Sequence, residues 1–278
     1  MRRLSLALIA AVSTIALTQI ASAADLPRRG PAYVPPPAPV LYNWAGCYVG
    51  LNAGWARATH DLSTFAYGNI NVFAQTAIDG IGQASLDSDG GFTGGGQVGC
   101  NITPFGPSSF VLGLEGDINW IDGGASRDTG NYVDPASGRT VRSVDDISMD
   151  WFSTLRGRVG WAWDRVLVYG TGGFAFAKVD ASKAVAWSFL GDGCPIVGGL
   201  DQCHVGSGSK TLTGWTVGGG VEWAFYDRWS AKAEYLYADL GDINYVTTNA
   251  GIVAGQFANH TVTNKLQVVR VGLNYKFW

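Results

Sequence analysis

The sequence is short of charge and of long apolar runs. Only 15% of its 278 residues are charged, against about 25% in an average protein. The formal net charge is −3 and no basic run occurs, which argues against a nucleic-acid-binding protein. After the N-terminus, no uncharged apolar stretch reaches the roughly 18 residues that a transmembrane helix needs. Beyond its N-terminal segment, the chain is therefore not expected to form a membrane-spanning helix.

Glycine and aromatic side chains are in excess. The chain contains 39 glycines and 12% aromatic residues, and the glycine share is about twice the usual value. Many aromatics and a low net charge exclude a disordered chain. Collagen is excluded because glycine does not recur at every third position. The length fits one large domain.

The N-terminus is typical of an export signal. Arg2 and Arg3 precede an apolar run, and Ala21-Ser22-Ala23 is a small-residue cleavage site. This pattern predicts a signal peptide over residues 1–23, with an N-terminal membrane anchor as the alternative. Six prolines follow between positions 27 and 39, which favours an extended segment over 24–43 that acts as a spacer. The alternative is a docking site for a proline-recognition partner or the cell wall.

Apolar and polar residues alternate with a period of two in the rest of the chain. Such alternation predicts β-strands with one apolar and one polar face. Eight strands are expected, an even number: Gly46–Trp55, Phe92–Ile102, Phe110–Trp120, Ile147–Trp163, Val166–Ala177, Trp215–Phe225, Trp229–Tyr237 and Val269–Phe277.

The connections alternate in length. Those after the odd strands are long, at 58–90, 122–145, 179–209 and 240–261, and those after the even strands are short, at 103–109, 164–165 and 226–228. Strands of about ten residues with short turns on one side and long loops on the other are typical of outer-membrane barrels. A soluble sandwich or a lipocalin is the alternative.

Two features favour the membrane barrel. Charges lie within strands on the face opposite the apolar one, where an apolar soluble core could not hold them unpaired. Aromatic residues also flank the apolar face, as in interfacial girdles. On the loop side these are Trp55, Trp120, Trp151, Trp215 and Tyr237, and on the turn side Trp161, Trp223, Trp229, Tyr275 and Phe277. The expected fold is all-β: an eight-stranded antiparallel transmembrane barrel over 44–278, with four long extracellular loops and short periplasmic turns.

The first strand carries a resemblance to a known family. Asn43-Trp44-Ala45-Gly46-Cys47-Tyr48-Val49-Gly50 resembles the "NWxGxYxG" opening of the small outer-membrane immunogenic proteins, which are porin-like barrels of the OmpA and OmpX type. Further similar stretches are Gly94–Gly99, Gly113–Asp117, Thr154–Gly160, Tyr169–Gly173 and Val269–Phe277. The resemblance implies an exported barrel in the outer membrane of a Gram-negative bacterium, with antigenic loops and no catalytic residues.

The C-terminus resembles the signal that the barrel-assembly machinery reads. Gly272, Tyr275 and Phe277 match its spacing, whereas Trp278 follows the usual terminal Phe and departs from it. The partners expected from these observations are outer-membrane lipid, lipopolysaccharide and the barrel-assembly machinery. A loop-binding partner is left open.

Ten charged residues are expected to face the lumen. The acids are Glu115, Asp117, Asp150, Glu222 and Glu234, and the bases are Arg156, Arg158, Lys232, Arg270 and Lys276. An eight-stranded barrel is only wide enough for side chains to fill it, so these charges must pair. The set predicts a salt-bridge plug, and a narrow gated conductance path is the alternative.

The four cysteines predict two disulfides. Cys47 and Cys100 share an outward facing near the turn end of neighbouring strands, and Cys194 and Cys203 lie in one loop. No metal site is expected, because His204 beside Cys203 has no further ligands nearby.

No enzymatic function is expected. All three histidines (His60, His204 and His260) fall in predicted loops, and no nucleophile, base and acid are placed together. The sequence therefore predicts a non-enzymatic, surface-exposed structural protein that stabilises the envelope, without a cofactor. The alternatives are a narrow porin for small solutes, and loops that bind haem or another ligand.

Overall fold

A computed structural model describes residues 41–68, 83–106, 109–122, 124–133, 140–187, 202–249 and 256–277. The predicted signal peptide and nearly all of the proline-rich segment lie outside these residues, as do Cys194 and Trp278. Within them, no helix is long and apolar enough to cross a membrane.

Eleven antiparallel strands make up the described chain. They are β1 Gly46–Gly68, β2 Ala84–Asp87, β3 Gly91–Ile102, β4 Phe110–Ile121, β5 Gly124–Asp128, β6 Tyr132–Val133, β7 Thr140–Trp163, β8 Val166–Trp187, β9 Gln202–Tyr226, β10 Trp229–Asn249 and β11 Gln256–Lys276. Eight are long, and the short β2, β5 and β6 lie within predicted long connections.

The eight long strands form a closed ring. Their order is β11-β10-β9-β8-β7-β4-β3-β1, and β1 pairs back onto β11. That last pairing runs from Tyr48 opposite Lys276 to Gly68 opposite Gln256. Every long strand therefore has two antiparallel neighbours, which confirms the predicted eight-stranded barrel.

The strands are longer than predicted. β7, β8 and β9 have 24, 22 and 25 residues, so much of the sequence assigned to long loops is paired strand. The strands were predicted too short because the facing of their apolar side chains reverses beyond the apolar band. Ala58, His60 and Leu62 point inward, while Thr59 and Asp61 point outward. The alternation thus continues past the apolar band, but with polar residues outside.

This inversion divides the barrel into two halves. We call the lower half the part in which β1 and β11 pair from Tyr48–Lys276 to Trp55–Val269, and the upper half the part beyond it. In the lower half large apolar side chains are exposed on the outer face; Leu51, for example, is 73% exposed. In the upper half an apolar core that includes Phe152, Leu236 and Leu266 lies in the interior, together with buried polar side chains such as His60 and Asp145.

The turn end of the barrel is closed by the segment that precedes β1. Trp44 is buried, and packs in a cluster with Val111, Ala162 and Leu167. Its indole Nε1 donates to the carbonyl oxygen of Asp164 at 2.8 Å. The amide of Tyr42 donates to the Asp164 carboxylate at 2.9 Å. The β7–β8 turn therefore holds this segment across the mouth.

Candidate functional site

The interior of the lower half holds a network of charged side chains. Eight of the ten predicted lumen charges meet there, none more than 6% exposed: Glu115, Asp117, Arg156, Arg158, Glu222, Lys232, Glu234 and Arg270. We call this set the lumen charge network. Its members come from β4, β7, β9, β10 and β11, at alternate strand positions that face the lumen.

Arg156 is the centre of this network. Its guanidinium, which has no exposed surface, lies 3.0 Å from Asp117 and 2.9 Å from Glu234, and also pairs with Glu115. Arg270 binds two of the same carboxylates, at 3.0 Å from Asp117 and 2.7 Å from Glu234. Two arginines from different strands therefore share the same acids.

Arg158 and Lys232 extend the network across the lumen. Arg158 donates to Glu222 at 2.7 Å, and its guanidinium carbon lies 4.0 Å from the ring centroid of Tyr169. Lys232 donates to Glu115 at 2.7 Å. Four bases thus meet four acids, so the buried charge is balanced, as burial of ions requires.

Glycines make room for the two central arginines. A Cβ atom on Gly54 would lie 2.7 Å from the Cβ of Arg270, and one on Gly173 would lie 2.8 Å from the Cα of Arg156. Both distances are too short for real contacts. Each added Cβ would also lie 2.1 Å from a backbone carbonyl oxygen, that of Val269 or Leu155. A side chain at either position would therefore displace the strand that carries the arginine, which gives part of the glycine excess a structural role.

Asp150 does not belong to the network, contrary to the prediction. β7 places both Asp150 and Trp151 opposite Lys178 of β8, because the register shifts between Met149 and Phe152. This β-bulge turns Asp150 outward, where it pairs with Lys178 at 2.8 Å. It also turns Met149 inward, where only 4% of it is exposed.

Lys276 was also predicted to join the network and does not. It lies at the turn end of β11, and its ammonium donates to the carbonyl oxygen of Asn43. The same ammonium lies 4.5 Å from the ring centroid of Tyr42. Lys276 therefore helps to hold the segment that closes the mouth.

The histidines are placed differently from the prediction. His60 and His260 lie on β1 and β11 and point inward, each 2% exposed, instead of lying in loops. His60 contacts the Asn264 side-chain oxygen through Nδ1 at 2.7 Å, and burial lowers the pKa of His60. The His204 side chain lies outside the described part.

A buried ion pair lies in the upper half, and sequence reasoning missed it. Lys183 lies 2.9 Å from Asp145, and both side chains are 1% exposed. The two residues are register partners on β7 and β8. The sequence carries no separate signal for them, because the inward facing of Ser143, Asp145 and Ile147 depends on the bulge.

Cys47, Cys100, Tyr275 and Phe277 lie near the turn end. Cys47 and Cys100 are directly opposite on β1 and β3 and form a disulfide. The predicted bond between Cys194 and Cys203 lies outside the described part of the structure, because Cys194 and the side chain of Cys203 are not described. Tyr275 packs on Trp229, with ring centroids 5.0 Å apart, and Phe277 is half exposed. A role of Gly272, Tyr275, Phe277 and Trp278 in assembly stays a prediction.

Outward-facing aromatic residues bound the apolar band. Trp215 and Trp223 on β9 are 51% and 55% exposed. They are separated by a strand length of about 26 Å, which suits the apolar band of a tilted membrane strand. Within the described ranges, no three His, Cys, Asp or Glu side chains are grouped to hold a metal.

Comparisons with known proteins find several that are similar to this chain. The family model described as "Outer membrane protein beta-barrel domain" matches residues 7–277. The "31 kDa outer-membrane immunogenic protein" of Brucella melitensis is 37% identical over 262 residues, covering 92% of this chain and 93% of that protein. The 25 kDa immunogenic protein of Brucella abortus is 28% identical over the full length of both. Among solved structures, the outer-membrane protein OprG of Pseudomonas aeruginosa matches with 11% identity and a TM-score of 0.42, over 86% of this chain and all of that one.

Proposed function

Because the chain belongs to the outer-membrane β-barrel family, we propose that it is a non-enzymatic structural protein that spans the outer membrane and presents its upper half at the cell surface. The lower half then lies in the bilayer, with its turn end in the periplasm. The upper half extends outward from the membrane. Relatives named as immunogenic outer-membrane proteins support surface exposure.

The filled interior carries this proposal. In the lower half the lumen charge network crosses the barrel with side chains that are almost completely buried. Above it, the apolar core around Phe152, Leu236 and Leu266 occupies the lumen. A hydrated ion would have to break paired charges and then pass this closely packed apolar core, and both steps are costly. This argues for a structural role over the porin alternative.

Planar-bilayer recording tests the proposal. We expect purified, folded protein to give no reproducible conductance steps, while an open-lumen porin prepared in the same way does. The experiment should be repeated with Arg156→Met, which removes the central cation of the plug. Steps that recur in every preparation of the unchanged protein, with an amplitude altered by this substitution, would establish a pore instead.

We propose three partners for this arrangement. Outer-membrane lipid contacts the exposed apolar band, and lipopolysaccharide lies beside the upper half. The barrel-assembly machinery reads the C-terminal strand, whose Tyr275 and Phe277 lie at its periplasmic end. Removing Trp278 tests this last point: we expect normal assembly, measured as heat-dependent mobility, if Phe277 supplies the signal. Loss of assembly would show that the terminal tryptophan is itself read.

Haem binding is less well supported than the structural role. Two of the three histidines that could bind iron, His60 and His260, are 2% exposed inside the barrel. Haem could reach them only if the upper half opened. Absence of a Soret shift on mixing haem with folded protein would agree with this interpretation, and a stoichiometric shift would contradict it.

A further inference from the structure

The β-bulge in β7 builds an amphipathic cleft on the outer face of the barrel. Two residues of β7, Asp150 and Trp151, stand opposite the single residue Lys178 of β8. Bulges commonly re-aim side chains next to functional sites. Here the bulge points a carboxylate and an indole outward, side by side.

The lower part of this cleft is aromatic. Trp151 is the register partner of Trp120 on β4, and Phe176 on β8 faces the same side. Together with Ile118 and Thr211 they line a cleft of about 510 Å³. Trp120 is 55% exposed at the top of the apolar band. This is the depth at which aromatic rings meet lipid headgroups.

Charged side chains lie beside the lining of the cleft, next to Trp151 and Thr211. Lys178, two residues beyond Phe176, is the register partner of Thr211. Its ammonium lies 2.8 Å from Asp150 and 3.1 Å from Asp180. These side chains stay between 35% and 51% exposed. Asp180 also accepts a hydrogen bond from Ser209, so Asp150 is the carboxylate more open to further hydrogen bonds.

We propose that this cleft binds the sugar headgroup of an outer-leaflet glycolipid. The local charge is one cation and two anions, which does not favour a bare anionic headgroup. Carboxylates accept hydrogen bonds, and sugar hydroxyls and amides donate them. The indoles of Trp120 and Trp151 offer flat apolar faces with one polar edge, on which a sugar ring packs. Acyl chains would continue downward along Ile118, inside the apolar band.

This inference goes beyond the structural role and depends only on the position of the chain in the outer membrane. A protein that conducts solutes could still hold a glycolipid on its outer wall. The amine-labelling experiment can therefore contradict this proposal without contradicting the proposed function, and the planar-bilayer recording can do the reverse.

Amine labelling with an internal control tests the proposal. Lys265 is 37% exposed and pairs with Asp61 at 3.0 Å, while Lys178 is 39% exposed. Hydrogen bonds to carboxylates raise the pKa of both lysines. Lys265, however, stands opposite Thr59 and Asp239 on its neighbouring strands, away from the cleft. The two amines are thus similar in exposure and in ion pairing, and differ mainly in that Lys178 lies beside the cleft.

The full-length protein should be folded into phosphatidylcholine bilayers, with and without the neutral glycolipid monoglucosyl diacylglycerol, and its lysines should be acylated. We expect this glycolipid to slow the labelling of Lys178 several-fold and to leave the labelling of Lys265 unchanged. Equal slowing at both lysines would overturn the proposal, because it would indicate a general surface coat. The proposal would also be overturned if phosphatidylglycerol, which is anionic but has no sugar ring, slowed the labelling of Lys178 as much as the glycolipid does.

A substitution in the cleft gives a second readout. Trp151→Ala should reduce the protection of Lys178 about two- to tenfold. Trp55→Ala removes an outward-facing indole from the same aromatic girdle on another strand, and should leave the protection of Lys178 unchanged. Heat-dependent mobility checks that both variants fold. Unchanged protection in folded Trp151→Ala protein would contradict the assigned site.

Discussion

Replacing Arg156 with methionine removes a guanidinium that has no exposed surface and that binds Glu115, Asp117 and Glu234. The loss is only partly compensated, since Lys232 still pairs with Glu115 and Arg270 still pairs with the other two acids. Four carboxylates are then left with three cations in a lumen without bulk water. Breaking a buried ion pair from one side costs about 3–5 kcal/mol. We expect Arg156→Met to lower the free energy of unfolding by that amount.

Urea unfolding in lipid vesicles, followed by tryptophan fluorescence and heat-dependent mobility, measures this change. The matched control is Arg57→Met, whose partner Asp87 lies 3.1 Å away with both side chains more than half exposed; its effect should stay below about 1 kcal/mol. Adding Glu234→Gln to Arg156→Met restores the charge balance and should recover part of the loss. If Arg156→Met is no more destabilising than Arg57→Met, the charged interior does not stabilise the barrel as argued.

Three further outcomes are expected. Serine at both Cys47 and Cys100 opens a bond that spans 53 residues and should cost about 4 kcal/mol in the same unfolding assay; an unchanged midpoint would show that the bond does not constrain the unfolded chain. The pKa of His60 is lowered by burial, so the unfolded state takes up its proton first and the upper half should lose stability as the pH falls below about 6.5. Protease sensitivity of the upper strands should rise on acidification, and less so in His60→Gln; equal pH dependence in both proteins would exclude His60 as the cause. Trp44→Ala removes a buried side chain from the periplasmic mouth and should cost about 3–5 kcal/mol, with faster hydrogen exchange in the β7–β8 turn; unchanged exchange there would mean that Trp44 does not hold the turn.

The fold class could be read from local patterns in the sequence. A period of two sets which side chains share a face, and Leu112, Leu114 and Ile118 alternate with polar partners within a few residues. Tight turns such as 164–165 and 227–228 are also local. The eight strands, their antiparallel pairing and the inward facing of Arg156 therefore needed no tertiary information.

The upper half was missed because its alternation has the opposite sense. Around His60 and Leu62 the apolar side chains point inward and the polar ones outward. Nothing within the strand marks where the surrounding medium changes from lipid to water. The prediction that Lys276 joins the network failed for a related reason. The facing of Lys276 could be predicted from its neighbours in sequence. Its distance from the carboxylates depends on its position along the barrel axis, which the alternation does not give.

The alternating residues of single strands were enough to predict a barrel with a charged interior, because facing is a property of neighbouring residues. The pairing of those charges was not predictable in this way, since Arg156 meets Glu234 across 78 positions of the chain. The bulge at Asp150 and Trp151 is a further example. One extra residue in β7 is visible only against the register of β8, and it turns a predicted lumen acid into part of an outward-facing cleft. Register and lumen contacts arise between distant strands once the ring closes, so tertiary structure alone sets them.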